Sequence, residues 1–263
     1  LPLGAVRLNN QWLSGPILNR GAIGWDSSGP LLFGRLRLIQ EMTVVGQRRW
    51  PLGMLNSGYV QRGLSRYTRA WGPTYRALSG EEQAFILREG RVDEVYDQAA
   101  LVRGVPLPTE GDLIVARGGI SLPARMGDRV TINTRSSNPL GELPQVMGGG
   151  PLLLHKGNVV LNGRKEGFSQ GFLAVSAPRT VVAQDKERIW LFAVKGANGI
   201  DPTLLETSLA LRQLGLTDAL NLDGGSSTTM LIANTTVMTG RGITPRVQNG
   251  LGFVRDRSMV LAN

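Results

Sequence analysis

The sequence contains no cysteine and only one histidine, His155, among its 263 residues. It therefore has no thiolate nucleophile, no disulfide and no zinc site built from cysteine or several histidines. A Ser-His-Asp triad would need His155, which the pattern Leu154-His-Lys-Gly-Asn158 instead places at a hairpin tip. Catalysis must then use Asp, Glu, Asn, Arg, Tyr or hydroxyl groups, which suit glycosyl or phosphoryl chemistry better than acyl transfer.

Long apolar runs are also missing, since no stretch approaches the roughly 18 residues that mark a transmembrane helix. Aromatic residues make up only 6% of the chain, and its 25 arginines are scattered, with no basic run longer than Arg48-Arg49. Both features argue against a nucleic-acid partner. The net charge of +9 indicates either affinity for an anionic substrate or simply a solvated, arginine-rich surface.

The composition favours many turns and one sizeable core, with 35 glycines, 14 prolines and 41% hydrophobic residues. We predict an α+β fold in which strand-rich mixed sheets carry a few helices on one side, within a single compact domain over residues 1–263. Residues 101–146 read as a strand-rich insertion. The clearest helix is predicted to begin at Asp201-Pro202, a favoured N-cap and first helical position, and to end at Gly215.

The segment Ala219-Leu-Asn-Leu-Asp-Gly-Gly-Ser-Ser-Thr-Thr-Met-Leu-Ile232 is the most informative part of the chain. An apolar strand stops at Asp223, and two glycines and four hydroxyl residues follow before the apolar pattern resumes. Such a turn can form an anion-binding nest of backbone N–H groups with hydroxyl donors beside it. It can equally be a plain hairpin turn whose Asp makes a local hydrogen bond.

Two segments have a similar pattern, Arg20-Gly-Ala-Ile-Gly-Trp-Asp26 and Arg179-Thr-Val-Val-Ala-Gln-Asp185. In both, an arginine and an aspartate bracket an apolar strand, and a second strand follows after a turn. The similarity indicates either an internal repeat or two unrelated hairpins.

Four motifs, in order along the chain, resemble the phosphodiester glycosidase family, its bacterial and cyanobacterial-type members in particular. They are Met147-Gly-Gly-Gly-Pro-Leu-Leu-Leu154, Pro178-Arg179-Thr180, Asn221-Leu-Asp-Gly-Gly-Ser-Ser-Thr-Thr229 and Arg246-Val-Gln-Asn-Gly-Leu-Gly-Phe253. The resemblance extends over essentially the whole chain. In the family, an Asn-Gly-Gly-Phe-Phe-like element usually precedes the segment similar to Leu1-Pro-Leu-Gly4, so we expect this chain to be N-terminally incomplete relative to its relatives.

The resemblance implies a hydrolase that cleaves the glycosidic C–O bond of a sugar-1-phosphodiester and releases a sugar and a phosphomonoester. It implies that Asp223 is the catalytic carboxylate. A second carboxylate stays open among Glu142, Glu166, Asp26 and Asp185. The residues expected to bind substrate are Asn221, Gly224, Gly225, Ser226, Ser227, Arg246, Asn249, Arg179, Gly149 and Asn56.

Two other functions remain open at this point. The same pocket could bind an anionic glycan without turnover, or a metal-dependent phosphodiesterase could cleave P–O instead. No cofactor is expected; a divalent cation beside Asp223 stays open, although no ligand spacing defines one. The expected partner is a phosphorylated glycan or sugar phosphate, and an extracytoplasmic or envelope-associated location is favoured.

Overall fold

Strands are the main regular element of the computed structural model, which describes residues 4–27, 29–46, 49–243 and 245–254. Leu1–Leu3 of the N-terminal motif and Arg48 of the basic pair lie outside the described residues. None of the helices within the described residues has the length and apolar character needed to cross a membrane.

Strands dominate the order of elements along the chain. The first strands are β1 (Val6–Leu8), β2 (Gln11–Ser14), β3 (Gly21–Trp25) and β4 (Leu32–Arg35). The middle part holds β5 (Leu38–Val44), β6 (Arg49–Leu55), β7 (Gly63–Tyr67), β8 (Thr74–Tyr75), β9 (Gln83–Arg88), β10 (Arg91–Tyr96), α1 (Gln98–Arg103), β11 (Val105–Pro106), β12 (Asp112–Arg117) and β13 (Val130–Ser136). The last part holds β14 (Gln145–Gly148), β15 (Leu152–His155), β16 (Asn158–Val159), α2 (Gln170–Ala174), β17 (Arg179–Gln184), β18 (Ile189–Val194), α3 (Leu204–Gln213), β19 (Asp218–Asn221), β20 (Thr229–Ile232) and β21 (Thr235–Thr239).

Three larger sheets organise these strands. The first sheet has the order β2-β1-β14-β3-β4, the barrel sheet β10-β9-β12-β7-β6-β5-β13, and the third sheet β16-β15-β19-β17-β18. Neighbouring strands are antiparallel except for the parallel pair β6 and β7, which makes the barrel sheet a mixed one. This arrangement confirms the predicted strand-rich α+β class.

The barrel sheet curls until its two edges meet. The N–H of Val92 donates to the carbonyl of Asp128 at 3.0 Å, and that of Val130 donates to the carbonyl of Gly90 at 2.8 Å. All the strands of this sheet lie within residues 38–136, and β14 returns to the first sheet. The predicted insertion at 101–146 therefore coincides with no boundary in the sheet topology, because strands on both sides of residue 101 build the same barrel.

The third sheet is buried on both faces. On one face Val182 and Leu220 pack with Ile23 of the first sheet, and on the other Val181 and Ala219 pack against α3. Strands covered on both faces read as continuous apolar runs, which is the pattern before Asp223. This layering places the end of β19 between the two sheets.

The helix α3 begins later than predicted. Thr203, not Asp201, is the N-cap: its hydroxyl accepts from the backbone N–H of Glu206, whose carboxylate accepts from the N–H of Thr203 in return. Such a reciprocal capping box satisfies two free donors at once, which a lone aspartate cannot do. Asp201 is instead buried and bound to Arg241.

A buried ion pair holds one face of the barrel together. The guanidinium of Arg117 donates to Glu82 at 2.7 Å, to Ser65 at 3.0 Å and to the hydroxyl groups of Tyr67 and Tyr75. Burial disfavours the charged form of Glu82, yet hydrogen bonds from Tyr75 and Arg117 hold its pKa below its ordinary value. Breaking such a pair leaves an unpaired charge in the core.

We expect Arg117→Met to lower the free energy of unfolding by about 3–5 kcal/mol, because Glu82 would lose its cation inside the barrel. Urea denaturation measures this loss. The matched control is Asp93→Asn, which removes one of the two acidic partners of Arg88 in an ion pair that is exposed on both sides; its effect should stay below about 1 kcal/mol. Equal losses for the two variants would contradict a structural role for the buried pair.

Candidate functional site

A cavity of about 1240 Å³ opens between the first and third sheets. Its walls come from the end of β14 with the following loop, from β17 and β18, from the turn after β19, from β20, and from residues 245–253. Four residues predicted from the sequence line it together: Gly149, Asp223, Ser227 and Asn249. They are separated by up to about a hundred positions in sequence, so the fold, not proximity along the chain, brings them together.

Asp223 lies two residues beyond the end of β19, with its side chain exposed at the cavity. Its Oδ1 accepts the N–H of Gly224 at 3.0 Å, which anchors one carboxylate oxygen to the turn. Gly224 has to be glycine because a Cβ there would lie 2.8 Å from the carbonyl oxygen of Pro178. Gly225 takes a positive φ of 64°, which only glycine adopts at little cost. The two glycines therefore aim Asp223 at the cavity.

Three backbone N–H groups near Asp223, those of Gly224, Gly225 and Ser227, already have acceptors. Gly225 donates to Pro178 at 2.8 Å and Ser227 to Gly224 at 3.2 Å. In the glycine loop, Gly149 donates to the carbonyl of Gly21 at 2.9 Å. The turn and the loop thus shape the cavity, whereas an anion nest at Gly224 and Gly225 would lack its donors.

The four hydroxyl residues after the turn face different surroundings. Ser226 is exposed, and Ser227 lines the cavity. Thr228 is buried, and its hydroxyl lies 3.1 Å from that of Thr180. Thr229 lines the cavity with a buried hydroxyl that has no hydrogen-bond partner. Of these four residues, Ser227 is therefore the one whose hydroxyl is placed to meet a ligand.

Arg20 was not among the predicted binding residues, yet it lines the cavity. The group lies 4.2 Å from the ring centroid of Phe168, and its Nε donates to the carbonyl of Glu166 at 3.3 Å. Burial lowers the pKa of Arg20, and the negative charge of Glu166 opposes that shift. The sequence signal that could have identified Arg20 is the similarity between the segments 20–26 and 179–185. Each of them has an arginine at the start of a strand.

Among the described residues that line the cavity, Arg20 is the one cation and Asp223 the one carboxylate. No group of three or more His, Asp or Glu side chains that could hold a metal ion was found in the described ranges. The cavity thus combines a single pair of opposite charges with hydroxyl and amide groups.

The two predicted arginines lie elsewhere. Arg179 is buried and points away from the cavity, with its guanidinium bound to the carbonyls of Val175 and Pro202. Burial and the nearby charge of Arg241 lower its pKa. Arg246 is exposed at the rim, since its neighbours in sequence line the cavity but its own side chain does not. Arg179 therefore supports the strand beside the Asp223 turn and does not reach a ligand in the cavity.

The two remaining predicted amides are also kept from the cavity by their own bonds. Asn221 is buried, and its Nδ2 donates to the carbonyls of Gly150 and Leu222 at 2.9 and 2.8 Å. Asn56 is fully buried between β6 and β7, where it exchanges hydrogen bonds with Thr68. Both hold backbone in place.

None of the four possible second carboxylates lines the cavity. Glu142 accepts from the N–H of Ser136, Asp26 from a turn N–H, and Asp185 from Trp190 and two backbone N–H groups. Glu166 is fully buried behind the glycine loop.

His155 also lies away from the cavity. It ends β15 at the predicted hairpin, and its Nδ1 lies 2.9 Å from Oδ1 of Asp218. Neither residue lines the cavity, so this pair is separate from the Asp223 turn.

Comparison with known proteins identifies relatives of this chain. A family model described as phosphodiester glycosidase matches residues 79–254. No curated protein matches the chain significantly. A hypothetical protein from Synechocystis is 41% identical in a solved structure, with a TM-score of 0.85 over 90% of this chain and 45% of that one. A candidate exported protein from Burkholderia pseudomallei is 19% identical, with a TM-score of 0.70 over 90% of this chain and 58% of that one.

The chain thus spans about half the length of the proteins whose structures it matches. The family model covers well over half of the chain, including the glycine loop, the Asp223 turn and the segment that contains Asn249. On this match, the chain belongs to the phosphodiester glycosidase family.

Proposed function

We propose that this domain hydrolyses a sugar-1-phosphodiester at the glycosidic C–O bond. The observation that carries the proposal is the cavity with one carboxylate, Asp223, and one cation, Arg20, among its described lining residues. Membership of the phosphodiester glycosidase family supports the same reaction.

A single carboxylate fits this substrate better than it fits an ordinary glycoside. Most glycosidases need one carboxyl group to protonate the leaving oxygen and another to assist attack at the anomeric carbon. A departing phosphomonoester is a weak base, so it leaves without a proton if its negative charge is stabilised. Arg20 can supply that stabilisation, which is strongest in a site that excludes water.

Asp223 then acts at the sugar. Its carboxylate either stabilises the positive charge that develops at the anomeric carbon or removes a proton from the attacking water. Water adds to that carbon, the C–O bond breaks, and the phosphomonoester leaves with the bonding electrons. Ser227 and Asn249 can hydrogen-bond to the sugar hydroxyl groups. An extracytoplasmic location also remains part of the proposal.

Isotope-labelled water tests the reaction. Methyl esters of glucose 1-phosphate, galactose 1-phosphate and N-acetylglucosamine 1-phosphate are offered to the protein, and the products are analysed by mass spectrometry. Label in the free sugar supports C–O cleavage. Label in the phosphate would replace the proposal with a phosphodiesterase, and binding without any product would replace it with a glycan-binding domain.

Asp223→Asn should lower turnover by roughly two orders of magnitude or more, because it removes the charge and keeps the shape. The free energy of unfolding should change by less than about 0.5 kcal/mol, since Asp223 is exposed and asparagine retains the oxygen that accepts from Gly224. Steady-state kinetics and urea denaturation measure the two effects.

The control for Asp223→Asn is Asp26→Asn. Asp26 also accepts a backbone N–H, from Gly29 at 2.7 Å, but it does not line the cavity. Its substitution should leave turnover within about twofold of the wild type. Similar turnover for Asp223→Asn and the wild type would assign Asp223 to the turn alone.

Arg20→Lys should lower kcat/KM for a phosphodiester by about two orders of magnitude, because an ammonium cannot reproduce the planar fork that holds a phosphate. The loss should be much smaller for an aryl glycoside of the same sugar, which has no phosphate. The matched control is Arg246→Lys, at the exposed rim. It should change kcat/KM by no more than about threefold for either substrate. If Arg246→Lys alone lowered kcat/KM strongly, and only for the phosphodiester, Arg246 and not Arg20 would be the residue that binds the phosphate.

A further inference from the structure

The cavity extends well beyond the polar groups that the proposed reaction uses. The N–H of Leu222 donates to the carbonyl of Thr180 at 2.8 Å, so the Asp223 turn lies beside Thr180. Thr180 pairs with Ala193 on β18, and both Ala193 and Ile189 line the cavity. The two positions are four residues apart along the strand, so the cavity continues along β18 for about 13 Å.

This extension is apolar. The lining contributed by β18 and β20 carries no charged side chain among the described residues. It includes Ile189 and Leu191 from β18, and Met230, Leu231 and Ile232 from β20.

The one polar side chain that β18 adds to this wall is already satisfied. The indole N–H of Trp190 donates to Asp185 at 2.9 Å, so it offers no free donor to a ligand. A hydrophilic aglycone such as a second sugar would lose water against these side chains and would gain no hydrogen bond from them.

Several of these apolar side chains are exposed at the cavity wall. Leu231 is 59% exposed, and Val247 and Phe253 from the segment after β21 are 53% and 66% exposed. Apolar surface grouped along one side of a cavity gains free energy when a ligand covers it. The volume, about 1240 Å³, also exceeds the roughly 300–1,000 Å³ of most small-molecule sites.

From the polar groups and the apolar extension of one cavity, we infer that the substrate is a sugar-1-phosphodiester whose aglycone is a flexible apolar chain. Sugar and phosphate lie between Asp223 and Arg20, and the chain lies along β18 and β20. The inference rests on the proposed function for the reaction, but the binding of an alkyl phosphate tests it separately.

The kinetic test compares octyl and methyl esters of whichever sugar 1-phosphate is turned over. The octyl ester should have a kcat/KM at least tenfold higher, because only its chain covers the apolar wall. Leu231→Gln should lower kcat/KM for the octyl ester by roughly fivefold or more. The value for the methyl ester should stay the same. The matched control is Leu205→Gln on α3, since Leu205 is 53% exposed and does not line the cavity.

The binding test uses octyl phosphate and methyl phosphate, both of which lack a glycosidic bond, with isothermal titration calorimetry as the readout. Octyl phosphate should bind the wild type roughly tenfold more tightly than methyl phosphate does, and Leu231→Gln, but not Leu205→Gln, should remove that advantage. Equal binding of the two phosphates, or an advantage that survives Leu231→Gln, would overturn the inference. Absence of hydrolysis with this binding pattern intact would overturn only the proposed reaction.

Discussion

The buried carboxylate of Glu166 is the contact on which the site depends, because it joins the two sheets that enclose the cavity. Its oxygens accept the N–H of Gly21 at 2.9 Å, the N–H of Leu152 at 3.2 Å and the guanidinium of Arg35 at 2.8 Å. Burial raises the pKa of Glu166, whereas these donors favour its charged form. A buried carboxylate with this many donors is tied to one position, and it leaves little room for a side chain at Gly150, where a Cβ would lie 3.0 Å from its Oε2.

The Asp223 turn could be predicted because everything that specifies it is local. The apolar strand, the two glycines and the hydroxyl residues are contiguous, and the turn needs glycine for reasons of close approach and positive φ. Arg20 could not be placed in the same way. It reaches the cavity because β3 pairs with β14, in a register that sets Ile23 opposite Met147, more than a hundred residues away. Nothing near Arg20 in sequence specifies that pairing.

The same limit explains why two motif residues do not reach the cavity. Arg179 and Asn221 belong to recognisable motifs, but which way their side chains point depends on the neighbouring strands and loops. Val181, two residues from Arg179, packs against α3, so Arg179 shares the helix-covered face of β17. The closure of the barrel could likewise not be predicted from a local pattern, because the backbone hydrogen bonds that close it join the turn near Gly90 to residues 128–130. Strand periodicity predicts that strands exist, but it does not specify which edges meet.

The return of β14 to the first sheet also sets an order of assembly. The barrel strands lie within one continuous stretch, so they can pair as soon as residues 38–136 are available. The first sheet cannot close until β14 arrives to separate β1 from β3, and the cavity cannot form until β17 to β20 follow. Pairing across long sequence separations is slow, because loop closure costs entropy before contacts repay it. During synthesis the barrel is thus complete while β1 to β4 still expose the apolar faces that will later bury the site, and this interval is when the nascent chain is most exposed to aggregation.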